Sequence, residues 1–108
     1  MKVLLDENLP IRLRFLIDAP HEVFTVKFLG WDGVKNGKLL RMLVESGFDV
    51  FITNDKNLEF QQNLTKLKVS IFVIDSTSNE VPILKAFFPK INQYLSQPFK
   101  AGVRQITL

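Results

Sequence analysis

The stretch Val3-Leu4-Leu5-Asp6-Glu7-Asn8 constrains the fold more than any other part of the chain. A short apolar run that stops at two carboxylates and an amide reads as a buried strand, covered on both faces of a sheet. Asp6, Glu7 and Asn8 then stand at its carboxyl end, where open α/β sheets build their binding sites. Pro10 is tolerated in the first turn of the helix expected next.

Later segments repeat this pattern. Ile11–Ile17 carries apolar residues at helical spacing, and Pro20 closes it. Glu22–Val26 is β-branched and aromatic, a second strand. The loop 30–37 contains Gly30, Gly33 and Gly37 and is followed by a helix over 38–46, with Asn36 as its N-cap and Gly47 as its left-handed C-cap. Asp49–Thr53 is a third strand ending in Asn54-Asp55-Lys56-Asn57, and a short helix is expected through Leu58, Phe60, Gln61 and Gln62. Lys68–Ile74 is a fourth strand closed by Asp75-Ser76-Thr77-Ser78-Asn79. The longest helix is expected from Glu80 to Leu95, kinked or divided at Pro89, with Ile83, Leu84, Phe87, Phe88, Ile91 and Leu95 buried. The alternation in residues 102–108 suits a half-exposed edge strand.

Strands alternating with helices predict one α/β domain over residues 1–108, with a mainly parallel sheet of about five strands and right-handed crossovers. A common strand order for such a chain is 2-1-3-4-5. It places Asp6, Asp55 and Asp75 along one rim, and neighbouring strands about 4.8 Å apart allow Asp6 and Asp55 to share a cation.

Composition narrows the function classes. The chain has 108 residues and no Cys, which removes disulfides, thiolate metal sites and cysteine nucleophiles. The apolar runs are too short to span a bilayer, and no secretory leader opens the chain, so a cytoplasmic protein is expected. Ten aromatic residues are Phe, which favours burial over a stacking surface. The net charge of +3 is mildly basic, and Lys35, Lys38 and Arg41 cluster in mid-chain, with Lys56 beside Asp55. These four are the candidate phosphate contacts, although an ordinary solvated basic face is an equal reading. The glycines form neither a Walker loop nor a GxGxxG turn.

Carboxylates and amides are hard oxygen ligands suited to Mg²⁺ or Mn²⁺. Such an ion relieves the repulsion among crowded carboxylates and can activate water or polarise a phosphoryl oxygen. The pattern therefore points to a metal-dependent phosphodiesterase, most naturally a nuclease. Bland roles stand beside this one. Asp75 and Asp55 can act as caps or turn residues, Glu7 can pair with a surface cation, and His21 can be purely structural. Trp31 can cover the cleft or pack on the core.

Residues 3–10 (VLLDENLP) and 52–58 (ITNDKNL) resemble the small bacterial PIN-like proteins described as predicted nucleases, of the DUF5615 type. Residues 29–40 (LGWDGVKNGKLL) and 61–64 (QQNL) look like one branch of that family, so the resemblance spans nearly the whole chain. It implies a three-layer α/β/α PIN-like sandwich and ribonuclease activity on Mg²⁺ or Mn²⁺. It also implies RNA as substrate, and membership of a toxin–antitoxin pair whose antitoxin covers the site. A homodimer fits the same family. Asp6 matches the first-strand metal carboxylate and Asp55 the acid of the T-x-D stretch, while Glu7 and Asn8 match the D-E-N triplet. Where many PIN-like chains open the second helix with an acid, this one has Asn36-Gly37-Lys38. Asp32 from the loop, or Asn36 as a neutral ligand, is the substitute, and Asp75 a further one.

Two rival functions follow from the same residues. The missing helix acid suits a catalytically weak or inactive PIN-like domain that binds protein or RNA. A phosphoacceptor domain also clusters acids at strands one and three, but residues 103–108 lack the lysine expected at the end of strand five.

Overall fold

The computed structural model describes residues 1–58 and 67–108. Five strands form one sheet: β1 (Lys2–Leu5), β2 (Glu22–Thr25), β3 (Val50–Thr53), β4 (Ser70–Ile74) and β5 (Gly102–Ile106). Their order is β2-β1-β3-β4-β5, and every neighbouring pair is parallel. The expected strand order is therefore the observed one. β5 sits at the edge as expected, and β2 is the other edge.

Alternate residues of each strand enter different cores, as the strand period of two requires. Val3, Leu5, Val50, Ile52, Phe72 and Ile74 belong to one buried cluster, and Leu4, Phe51, Ile71 and Val73 to the other. The first core is covered by a 3₁₀ segment (Ile11–Leu16) and by α2 (Val81–Lys85) and α3 (Phe88–Leu95). The second is covered by α1 (Asn36–Glu45) through Leu39, Leu40 and Leu43. The molecule is thus a three-layer α/β/α sandwich whose central strands β1, β3 and β4 are buried on both faces, the arrangement that all-parallel sheets need.

Several local expectations change. The segment after β1 is a 3₁₀ helix, not an α-helix. Its rise of about 2.0 Å per residue lets six residues run further along the sheet than an α-helix of equal length. The expected long helix is two: it breaks before Pro89, which sits in the first turn of α3, where a missing N–H does no harm. Ile83, expected in the buried stripe, is 46% exposed, while Leu84, Phe87, Phe88, Ile91 and Leu95 are buried; Ile83 stands one residue, about 100° of helical turn, outside their face. α1 begins at Asn36, with Lys35 at the cap position, so Asn36 is not the N-cap. Gly47 does close α1 in the left-handed region, at φ +80°. The short helix expected after Asp55 lies, beyond Leu58, outside the described residues. No helix among the described residues is long and apolar enough to cross a membrane.

Candidate functional site

The sheet register builds the site. Val3, Leu4 and Leu5 pair with Val50, Phe51 and Ile52. One step further, the main-chain N–H of Asp6 still donates to the Ile52 carbonyl at 2.9 Å, which sets Asp6 beside Thr53. By alternation both side chains leave the sheet toward the α1 layer, as Leu4 and Phe51 do. There the Thr53 hydroxyl donates to Asp6 Oδ2 at 2.7 Å and accepts from the main-chain N–H of Asp55 at 3.0 Å. One buried hydroxyl therefore joins the carboxyl end of β1 to the loop after β3.

Asp6 is 6% exposed and Thr53 is fully buried. Besides the Thr53 hydroxyl, Asp6 accepts the Glu7 N–H on Oδ1 at 2.8 Å. Burial pushes the Asp6 carboxyl above its ordinary value of 3.8, the two hydrogen bonds oppose that, and the Glu7 and Asp55 carboxylates nearby raise it further. The strand end thus holds a buried acid whose two closest ionisable neighbours carry the same charge.

Asp55 is half-buried and accepts from two sides. Asn36 Nδ2, at the start of α1, reaches its Oδ2 at 3.2 Å, and the Asn57 N–H reaches its Oδ1 at 3.0 Å. Asp55 is therefore both a turn cap, as the bland reading had it, and a member of the acidic rim. Among the described residues Glu7 pairs with no lysine or arginine: its Oε2 accepts the Gly33 N–H at 3.1 Å, holding the loop before α1 against the rim. Gly33 lies at φ +80°, a conformation that glycine tolerates best.

The remaining predicted residues divide. Asp32 is exposed in the same turn as Gly33. Asp75 stands on the rim after β4 but is tied to Lys56, with Nζ to Oδ1 at 2.9 Å and both side chains substantially open to solvent. Lys35, Lys38 and Arg41 are exposed on α1 and its cap. Trp31 packs edge-on against Phe48 at 6.1 Å between ring centres, the core-packing role. His21 Nδ1 lies 2.9 Å from the Met1 amine, away from the rim.

Asp6, Asp55 and Asn36 are hard oxygen donors, and each carboxylate oxygen accepts about two hydrogen bonds or ligands, so the bonds described leave coordination capacity. Among the described residues no three carboxylate or imidazole groups are gathered closely enough to hold an ion alone. A cation here would draw on the Asn36 amide and on water as well.

Sequence reasoning missed two things. Thr53 was read only as a strand end, although the T-x-D spacing signals a hydroxyl facing the same way as the acid two residues on. It also missed that Asn8, Asn54, Asn57, Ser76, Thr77 and Asn79 line one open groove beside Asp55. Comparison of the chain with protein-family models, curated proteins and solved structures finds no match.

Proposed function

We propose that this chain is a PIN-like, Mg²⁺- or Mn²⁺-dependent endoribonuclease whose centre is Asp6 and Asp55. One observation carries the proposal. Asp6 is buried, feels the like charges of Glu7 and Asp55, and is locked by Thr53 to the loop that carries Asp55. Crowding like charges in a buried place is unfavourable unless protons or a cation offset it.

Asp6 and Asp55 would hold the ion, with the Asn36 amide as a neutral ligand and Asp32 or Asp75 contributing through water. When bound, a divalent ion polarises a phosphoryl oxygen and lowers the pKa of a bound water. Thr53 keeps Asp6 in one orientation, and Glu7 anchors the loop through Gly33. Lys35, Lys38 and Arg41 supply positive charge that draws the phosphate backbone toward the rim, whereas Lys56, a candidate from the sequence, is paired with Asp75. RNA as the substrate, an antitoxin covering the rim and homodimerisation follow from the family resemblance.

The test is a Mn²⁺ titration of wild type and Asp6→Asn, followed by calorimetry and melting temperature, with RNA cleavage measured alongside. Saturable stabilisation and cleavage in wild type, both lost in Asp6→Asn, are expected. Wild type that binds no Mn²⁺ at millimolar concentration and cuts no RNA would overturn the proposal. A second reading rests on the Asn36–Asp55 hydrogen bond, in which an amide meets the carboxylate where a further acid would strengthen metal binding. It makes the chain a non-catalytic RNA- or protein-binding module. Asn36→Asp separates the two, since a weak nuclease gains Mn²⁺ affinity and turnover with the added carboxylate, and a binding module gains no turnover.

A further inference from the structure

Beside Asp55 the carboxyl ends of β1, β3 and β4 enclose an open groove of about 360 Å³, within the size range of small-ligand sites. Its wall is unusual in composition. Asn8 follows β1, Asn54 and Asn57 follow β3, and Ser76, Thr77 and Asn79 follow β4. Among the described lining residues there is no aromatic ring and no apolar side chain. The lining cation, Lys56, is already engaged by Asp75, and Asp55 supplies an opposing charge. Such a wall has little to offer a phosphate, which seeks unpaired cations or clustered N–H groups. It has much to offer an uncharged ligand rich in donors and acceptors.

We infer that this groove receives the base of an unpaired RNA nucleotide next to the phosphate at Asp6 and Asp55, and reads its edge through the Asn8, Asn57 and Asn79 amides. Asn8 and Asn57 each present an acceptor oxygen and two donor hydrogens, and Asn79, whose oxygen accepts from Asn54, presents its donor hydrogens, a combination that pairs with the mixed edge of a nucleobase. A base can reach such a wall only when it is not paired in a duplex, so the substrate class is single-stranded RNA or a loop. With no ring among the described lining residues, recognition there comes from hydrogen bonds, and these discriminate between bases where stacking tolerates all of them. Asn54 and Asn79 are hydrogen-bonded to each other through their side chains, which joins the β3 and β4 loops and sets the orientation of both amides. The inference rests on the nuclease reading for the position of the phosphate, but base reading itself does not require cleavage.

The experiment measures binding of short fluorescent homopolymers of A, C and U by anisotropy. It uses an Asp6→Asn background, which reduces the negative charge of the rim and prevents cleavage. The expected result is a Kd gap of about tenfold or more between the tightest and weakest homopolymer. Adding Asn8→Ala and Asn79→Ala together should shrink that gap to about twofold, with the melting temperature confirming that the protein stays folded. If the double substitution unfolds the protein, the single Asn8→Ala change, on an exposed side chain, should narrow the gap alone. Equal binding of the three polymers, no binding of any, or a gap that survives the substitutions overturns the inference. The nuclease reading fails separately. Base discrimination without Mn²⁺-dependent cleavage by wild type leaves the groove as the reading site of a binding module, whereas cleavage without discrimination removes the groove's role and keeps the nuclease.

Discussion

Asp49 and Asp6 are carboxylates at opposite ends of the same pair of strands, and they are held differently. Asp49, just before β3, accepts the Lys2 main-chain N–H at 2.8 Å, while its own N–H donates to the Lys2 carbonyl at 2.8 Å. Around it the charges are dispersed: Lys2 Nζ donates to the Ser46 carbonyl and lies over the Phe48 ring at 4.4 Å. Asp6, at the carboxyl end, is more deeply buried and faces Glu7 and Asp55. The amino end of the sheet uses its acid to close a strand pair. The carboxyl end holds an acid where burial first, and like charge second, disfavour its ionised form, a local cost in stability.

The contrast can be broken at the hydroxyl first. Thr53→Val keeps the shape of the side chain, deprives Asp6 of a donor and leaves the Asp55 N–H without its acceptor. It should lower stability by about 2–3 kcal/mol in urea unfolding, since a buried charged group is left partly unsatisfied. The same Asp→Asn change at the two ends should then move stability in opposite directions. Asp49→Asn weakens a charge-assisted bond and should cost about 1 kcal/mol. Asp6→Asn removes the repelling charge and should raise the stability of metal-free protein at pH 7. A decrease there comparable to Asp49→Asn would mean that the two ends do not differ.

Titration sharpens the comparison further. Because the Asp6 carboxyl is raised in the folded state, the stability tied to its proton is complete below pH 3.8 and falls as pH rises through the folded value. Unfolding of metal-free wild type and Asp6→Asn should therefore diverge upward from about pH 4, with the variant gaining. His21, at the amino end, runs the other way. Burial first and the Met1 ammonium second hold it below its ordinary 6.5, so stability tied to neutral His21 is present above that pH and is lost as pH falls through the lowered value. His21→Asn should flatten this component, the smallest of the effects, without altering the Asp6 limb.

These contrasts also mark how far the chain could be read without coordinates. The strand runs, their order and the gathering of Asp6, Asp55 and Asp75 on one rim followed from hydrophobic period and crossover handedness, which are local or general rules. Lost were features decided by what a side chain meets across the sheet. Asn36 looked like a cap because cap preferences are local, whereas its amide is directed to Asp55, 19 positions away. Ile83 borders the buried face that Leu84, Phe87, Phe88, Ile91 and Leu95 form, and an apolar pattern alone does not show on which side that face ends. The 3₁₀ form of Ile11–Leu16 carries the same apolar pattern as an α-helix over so short a span. The amide groove was invisible because its walls come from three separate loops.

Thr53 also governs how this chain can change over generations. A buried strand position facing a helix layer ordinarily drifts among Val, Ile and Thr, which are alike in shape. Here Val or Ile removes the hydroxyl that serves Asp6 and the Asp55 main chain, so drift is confined to Ser unless residue 6 changes in the same lineage. Positions 6 and 53, 47 apart in sequence, are thus chemically coupled, and a change at residue 53 is expected to be tolerated best together with one at residue 6. Loss of Thr53 leaves Asp6 short of a donor, whereas loss of Asp6 alone still leaves the hydroxyl serving the Asp55 N–H.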